Sequence, residues 1–297
     1  MNLSFHGAAR TVTGSKHLLS LKNGVKILLD CGMFQGLGAD TDSLNSDFGF
    51  DAASISFVLL SHAHIDHSGL LPKLVKEGFE GKIYCTQATA ELAEILLHDS
   101  AEIQTYETEY VNKKRADHNL EPYEPLYSHE DVMNAVKQFG IVDYNKPFKP
   151  ATDVSVTYIN NGHLIGSAAI SISVTEDEKE TNILFSGDVG RTRSPLLQPP
   201  SETPQADYII IESTYGDKHH DVSFNHIDNM LEWIKRTCIK KEGKLIIAAF
   251  SVGRTQEILY ILNQLELENK LPDLNVYVDS PLSLKATEAI KRYPPAF

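Results

Sequence analysis

Cysteine is scarce in this chain: of 297 residues only Cys31, Cys85 and Cys238 carry thiols, they lie far apart, and no C-x-x-C occurs. An odd, dispersed set supports neither a disulfide framework nor a cysteine-based zinc site, and it reads as buried free thiols of a cytoplasmic protein. Long apolar runs are missing too. The N-terminus meets polar residues at once, and nothing approaches the roughly 18 apolar residues of a membrane span, so no membrane partner is expected. Positive charge is in deficit, with 27 Lys and Arg against 40 Asp and Glu and a net charge of -13. The surface as a whole repels nucleic acid, and any site for it must be local. No internal repeat or low-complexity tract is present. The balance of 42% hydrophobic and 23% charged residues belongs to a chain with a packed core. Its length predicts two domains, or one large domain with an insertion.

Short β-rich runs cut by Gly, Asn or Asp predict strands at residues 2–5, 16–21, 25–30 and 55–61. Helical spacing follows at 69–78 and 88–98, with a strand at 82–85 between them. Residues 99–146 are strongly charged and read as helices around a Pro/Tyr-rich loop. Strands return at 154–159, 168–174 and 182–185, and a Pro-rich stretch at 194–205 marks a boundary. Beyond it strands at 208–212, 244–250 and 275–279 alternate with helices at 223–241, 253–267 and 282–291. Such alternation predicts parallel strands with covering helices, so residues 1–206 and 207–297 are expected to form two different α/β architectures.

The chemistry concentrates in Ser61-His62-Ala63-His64-Ile65-Asp66-His67-Ser68-Gly69, between an apolar strand and a helix. His62, His64, Asp66 and His67 place four metal-ligand side chains within six residues. A strand-to-helix loop lets neighbouring imidazoles and carboxylates converge as a continuous strand could not. So dense a cluster cannot place every ligand on one tetrahedral ion, which implies a second metal and ligands from elsewhere. His163 in NNGHLIG and Asp188 in FSGDVGR, each in a Gly-flanked loop, are the candidates. No G-x-S-x-G and no GxxxxGK[ST] phosphate loop accompanies them.

The HAHIDH run, Gly162-His163 and Gly187-Asp188 resemble, in order and spacing, three successive signatures of the metallo-β-lactamase superfamily. VTGS at 12–15, LLDCGMFQG at 28–36, IIIESTYGDKHH at 209–220 and FSVGRTQEIL at 250–259 resemble its β-CASP branch of RNA-processing nucleases, and the likeness covers essentially the whole chain. The resemblance implies an α/β fold, a metallo-β-lactamase αββα sandwich with an inserted β-CASP domain. It also implies two Zn2+ per complete site, with His62, His64 and His163 on one ion, Asp66 and His67 on the other, and Asp188 bridging them. A hydroxide activated by the two metals would then attack the phosphodiester of single-stranded RNA in line. Catalytic roles fall to Asp66, Asp188 and Glu212, the last ending the strand at 208–212 and opening ESTYG, as an acid that in the family pairs with a later histidine and helps protonate the leaving oxygen.

Full-length relatives supply that histidine, and a last ligand of the second zinc, downstream of the inserted domain. Here only His219, His220 and His226 follow Asp188, too early for those motifs. The chain is therefore expected to be a fragment, truncated at the C-terminus within the insertion and close to inactive alone. Phosphate donors are expected where Ser251, Gly253, Arg254 and Thr255 turn from strand to helix, with Asp279-Ser280-Pro281 repeating the turn without a cation. Arg191 and Arg193 add positive charge after Asp188, and His220 is a candidate near substrate. Two rival functions stay open, a thioesterase- or lactonase-type hydrolase on the same scaffold and a non-catalytic RNA-binding subunit. A homodimer is kept open as the assembly.

Overall fold

The computed structural model describes residues 1–38, 40–218 and 226–293. It divides into two compact units, one of residues 1–191 and 199–212 and the other of residues 192–198 and 213–297.

In the first unit, β1 (Asn2–Phe5), β2 (His17–Ser20), β3 (Lys26–Leu29), β4 (Phe57–Leu59), β5 (Lys82–Cys85) and β6 (Phe139–Ile141) form one sheet in that order. The first three are antiparallel neighbours, and β3 to β6 run parallel. The second sheet is ordered β11-β10-β9-β8-β7, from β7 (Phe148–Ala151), β8 (Val154–Asn160), β9 (Ala168–Glu176), β10 (Lys179–Phe185) and β11 (Tyr208–Ile210). Alternation decides how the sheets meet. Leu19, Ile27, Leu29, Phe57 and Leu59 of the first share one buried cluster with Val154, Val156, Tyr158, Ala168, Ile170, Ile172 and Val174 of the second. Residues of the same parity pack face to face, as a sandwich requires. On the opposite parity of the first sheet Leu28, Val58 and Ile83 are also fully buried, so that face is covered as well.

The helices of this unit are α1 (Asp40–Ser46), α2 (Ile65–Ser68), α3 (Leu71–Lys76), α4 (Gln87–Ala116) and α5 (His129–Val136). Thr86 caps α4 by accepting from Thr89 N–H, and Ser128 forms a capping box with Asp131 at the start of α5. The helix expected to stop at residue 98 runs on to Ala116, because Glu, Gln, Lys and Ala continue without Gly or Pro. The charged stretch also holds β6, and β7 follows just beyond it, two strands too short to register as alternation. No described helix is long and apolar enough to cross a membrane.

The residue 208–212 strand differs from its expected place. As β11 it pairs parallel with β10 and so belongs to the first unit, and the division falls after Glu212 rather than at 206. The second unit contains α6 (His226–Ile234), continued by a π-helical segment Lys235–Lys240, then α7 (Arg254–Leu267) and α8 (Pro281–Ile290). The strands expected at 244–250 and 275–279 join no ladder among the described residues. Ile246 is 89% and Phe250 85% exposed. Their apolar alternation is that of strands, but a ladder needs a neighbour, and the described residues supply none.

Candidate metal centre

The centre is built at one end of the sandwich, where three loops of the first unit meet. The loop after β4 carries His62 and His64 and closes at once into α2, because His64 C=O accepts from His67 N–H at 2.9 Å and Ser68 N–H at 2.8 Å. Ser68 Oγ donates back to Ala63 C=O and tightens the turn. The loop after β8 carries His163, and the loop after β10 carries Asp188. Ala168 N–H donates to Ser61 C=O at 2.9 Å and ties the two sheets together there. Gly187 stands at φ +53°, and a Cβ on it would lie 2.8 Å from Ser61 Cβ. Only glycine admits both that backbone conformation and that approach.

His62 Nε2 and His163 Nε2 each lie 3.1 Å from His64 Nδ1, while Asp188 Oδ2 is 3.7 Å from His62 Nε2 and 3.4 Å from His163 Nε2. All four donor atoms lie within 4.8 Å of one another. A tetrahedral ion about 2.0–2.1 Å from its ligands has ligand-to-ligand edges of roughly 3.3–3.4 Å, so the spacing fits one ion at the centre of the set. Hydrogen bonding alone does not explain it. His64 Nδ1 has a single proton or a single lone pair, yet faces two other ring nitrogens.

Asp188 turns its other oxygen elsewhere. Oδ1 lies 3.1 Å from His67 Nε2, and Asp66 Oδ2 lies 3.9 Å from the same nitrogen. Asp66 and His67 thus border the four-donor set on the side of Asp188. All six side chains singled out in the sequence converge on one centre.

Two residues not singled out there hold it in place. Asp30, fully buried and at φ 56°, accepts from Ser61 N–H at 2.7 Å, from Ser61 Oγ at 2.8 Å and from His67 Nδ1 at 2.6 Å. Having given its one proton to Asp30, Ser61 Oγ must accept from His62 Nδ1 at 3.0 Å. The lone pair of His62 is therefore on Nε2, facing the cluster, and the bond from Nδ1 of His67 to Asp30 likewise turns Nε2 of that ring inward. Asn161 Nδ2 donates to the carbonyls of Ser186 and Asp188, clamping the Asp188 loop to the His163 loop. Asp30 sat in plain view in LLDCG, and Asn161 in NNGH. Neither has a spacing that distinguishes it from an ordinary turn residue.

Burial governs the titration. Desolvation holds His62 well below 6.5, lowers His163, and takes His64 to about 3, with neighbouring imidazoles adding to the shift on His62 and His64. These rings are neutral, the state a metal ligand requires. His67 goes the other way. Burial opposes its charge, but the Asp30 carboxylate and the hydrogen bonds that His67 donates to Asp188 and Asp30 outweigh this and raise it well above 6.5. For Asp188, burial is likewise overcome by the His67 hydrogen bond and charge, and its carboxyl falls to about 2. Burial raises Asp66.

Glu212 follows β11 in the same unit. Its Oε1 accepts from Val189 N–H at 3.2 Å, and its own N–H donates to Ser186 Oγ at 3.2 Å, which sets it beside the Asp188 loop. In the second unit the two turns expected to bind phosphate meet each other. Ser251 Oγ and Ser280 Oγ are 3.3 Å apart, and buried Gln256 donates to Ser251 C=O and Thr287 Oγ1 while accepting from Gly253 N–H. Thr255 Oγ1 donates to Phe250 C=O, and the Arg254 guanidinium is paired with Glu257 one turn further along α7. His220 lies outside the described residues.

Residues 18–207 match the metallo-beta-lactamase superfamily domain. The ribonuclease TTHA0252 of Thermus thermophilus is 38% identical over 97% of this chain and 59% of its own length. An RNase J-like protein of Methanocaldococcus jannaschii is 31% identical over 98% of this chain and 61% of its own. The transcription termination factor FttA of Methanothermobacter thermautotrophicus is 32% identical over 93% of this chain and 42% of its own. The chain thus spans between two fifths and three fifths of the length of these relatives.

Two measurements follow from the network. His67, protonated in the metal-free chain, must lose its proton to bind an ion. Metal titration by calorimetry in buffers of different ionisation enthalpy is therefore expected to show proton release near neutral pH and affinity rising with pH. The sign is set by the raised pKa. The stability His67 gives the metal-free fold is complete below 6.5 and lost as pH rises through its folded value. Binding of a second ion with no proton release would remove His67 from the ligands. Asp30→Asn is expected to weaken metal affinity by about 10- to 100-fold in chelator competition, the range for groups that orient a ligand.

Proposed function

The chain belongs to the metallo-β-lactamase superfamily, its relatives are consistent with the β-CASP branch, and on that premise we propose that it is a zinc-dependent ribonuclease. Its substrate on this reading is single-stranded RNA, hydrolysed at its phosphodiester bonds. The observation that carries the reading is Asp188, whose two oxygens face two separate donor sets. Neutral imidazoles with a shared carboxylate suit zinc. Two bound ions would supply an activated water near neutral pH and charge compensation for the phosphate. His62, His64, His163 and Asp188 would hold the first ion, and Asp66, His67 and Asp188 the second.

The residues of the chain do the rest. Asp30 and Ser61 fix which ring nitrogen of His67 and His62 faces the centre, so the donor set needs no rearrangement before it binds. Glu212, held beside Asp188 by the Val189 N–H, is placed to orient a proton donor toward the leaving oxygen. The paired turns at Ser251 and Ser280, with Gly253, Arg254 and Thr255, would offer backbone N–H groups and a guanidinium to the RNA backbone. Arg254 would exchange Glu257 for a phosphate. With His220, these form the substrate contacts of this reading. The free cysteines, two of them buried, accord with a cytoplasmic location.

A small-molecule hydrolase would use the same cluster. The ribonuclease and RNase J-like relatives match this chain over 97% and 98% of its length, through the second unit as well as the first, and this favours RNA.

Among the described residues the first ion has four donors and the second three, so one ion is expected to bind tightly and the second weakly. Cleavage of end-labelled single-stranded RNA, expected to lie close to background, should therefore rise as zinc is added beyond one equivalent, disappear with a chelator, and be lost in Asp188→Asn. Cleavage that survives the chelator would sink the reading. Arg254→Ala is expected to weaken RNA binding and lower its salt slope by about one phosphate contact. An unchanged slope would leave that turn an ordinary helix start.

A further inference from the structure

Basic residues are outnumbered along this chain, yet five of its 27 stand within residues 235–244, as Lys235, Arg236, Lys240, Lys241 and Lys244, with Glu242 the one acid among them. All five are exposed. None forms an ion pair among the described residues, although Glu232 stands exposed one turn earlier. They begin where α6 passes into the π-helical segment Lys235–Lys240. A π turn closes between residues five apart, which brings Lys235 and Arg236 alongside Lys240 and Lys241. Like charges at such spacing destabilise a helix, so their grouping is a cost to the fold that an anionic partner would remove.

Trp233 adds an aromatic surface at the same place. The indole is 54% exposed, and Arg236 lies over its ring with Cζ 5.2 Å from the centroid. The apolar side of the helix is turned elsewhere, since Leu231 and Ile234 are buried and Thr237 and Cys238 half-buried. A helix lying on a membrane needs that side free to enter the lipid. An acidic peptide would engage the cations and leave the indole unused. Cations gathered on one turn beside an open aromatic ring suit a strand that offers both counterparts, phosphates for the charges and bases for the ring.

We propose that this end of α6 is a contact for single-stranded RNA, in which a base stacks on Trp233 and backbone phosphates lie against Lys235, Arg236, Lys240 and Lys241. The proposal rests on the reading of the chain as an RNA-cleaving enzyme and deepens it. In a chain with a net charge of -13 the substrate is held by local patches, and this one stands on a segment separate from the Ser251 and Ser280 turns. Its grip is indifferent to base sequence, because every base has a face to stack.

Trp233 is the only tryptophan in the chain, so its fluorescence reports this surface and no other. A labelled single-stranded uridylate oligomer titrated into the intact chain should quench that fluorescence saturably, in step with the rise in the oligomer's anisotropy. Lys235→Gln, Arg236→Gln, Lys240→Gln and Lys241→Gln combined should abolish the quenching. They should also lower the slope of log affinity against log salt by roughly 2 to 3, at about 0.7 per phosphate contact on a single strand. Trp233→Leu should weaken binding by about tenfold, the scale of one lost stacked base, with the salt slope unchanged. Circular dichroism and metal content of both variants should match the parent. RNA that binds by anisotropy without quenching Trp233, or with a slope indifferent to the Gln variant, overturns the proposal and leaves the ribonuclease reading intact. No RNA binding at all removes that reading and the proposal with it. Quenching by polyglutamate or by phosphatidylserine vesicles, with none by RNA, would assign the surface to an acidic protein or a membrane and overturn the proposal as well.

Discussion

One buried carboxylate sets the chemistry of the centre. Asp30 lies in a dry interior where an isolated negative charge would be costly, and it is tolerated because Ser61 N–H, Ser61 Oγ and His67 Nδ1 all donate to it. Those bonds have two consequences at once. They decide which nitrogens of His62 and His67 face the centre of the cluster. They also tie the end of β3, which precedes Asp30, to the loop after β4, so the metal loop cannot shift without losing a charge-assisted hydrogen bond.

The first sheet and the second contribute differently to the result. The parallel pair β3 and β4 brings Asp30 beside Ser61, and the antiparallel β8, β9 and β10 bring the His163 and Asp188 loops to the same edge. Face-to-face packing of the two sheets closes the distance between these contributions, and the Ala168-to-Ser61 hydrogen bond fixes it. Side chains about a hundred positions apart in the chain thereby come within ligand spacing. Burial then does the electrostatic work, neutralising three imidazoles by desolvation while an ion-paired fourth, His67, is held protonated by Asp30 and Asp188.

The second unit shows a different dependence. Gln256 joins the starts of α7 and α8 through four hydrogen bonds, and these two turns are well defined although the apolar segments leading into them join no ladder. Helix starts can be fixed locally by caps and side chains, whereas strands are stabilised only by neighbours.

What the sequence determined by itself was the membership of the His/Asp cluster and the class of the fold. His62, His64, Asp66 and His67 announce themselves because metal chemistry restricts residue types and the loop places them close together. His163 and Asp188 follow from Gly-flanked loops after strands. Alternating apolar residues located most strands of the sandwich, since burial on one face leaves a period of two. Tertiary structure decided what depends on contacts between distant segments. It assigned residues 208–210 to the first unit, because strand pairing rather than sequence position determines membership in a sheet. It carried α4 on to Ala116, left the 244–250 and 275–279 segments outside any ladder among the described residues, and turned one oxygen of Asp188 to His62 and His163 and the other to His67. It also revealed the roles of Asp30, which the sequence shows only as part of LLDCGMFQG, and of Asn161, because their partners are donors and carbonyls brought near only by the packing of the chain.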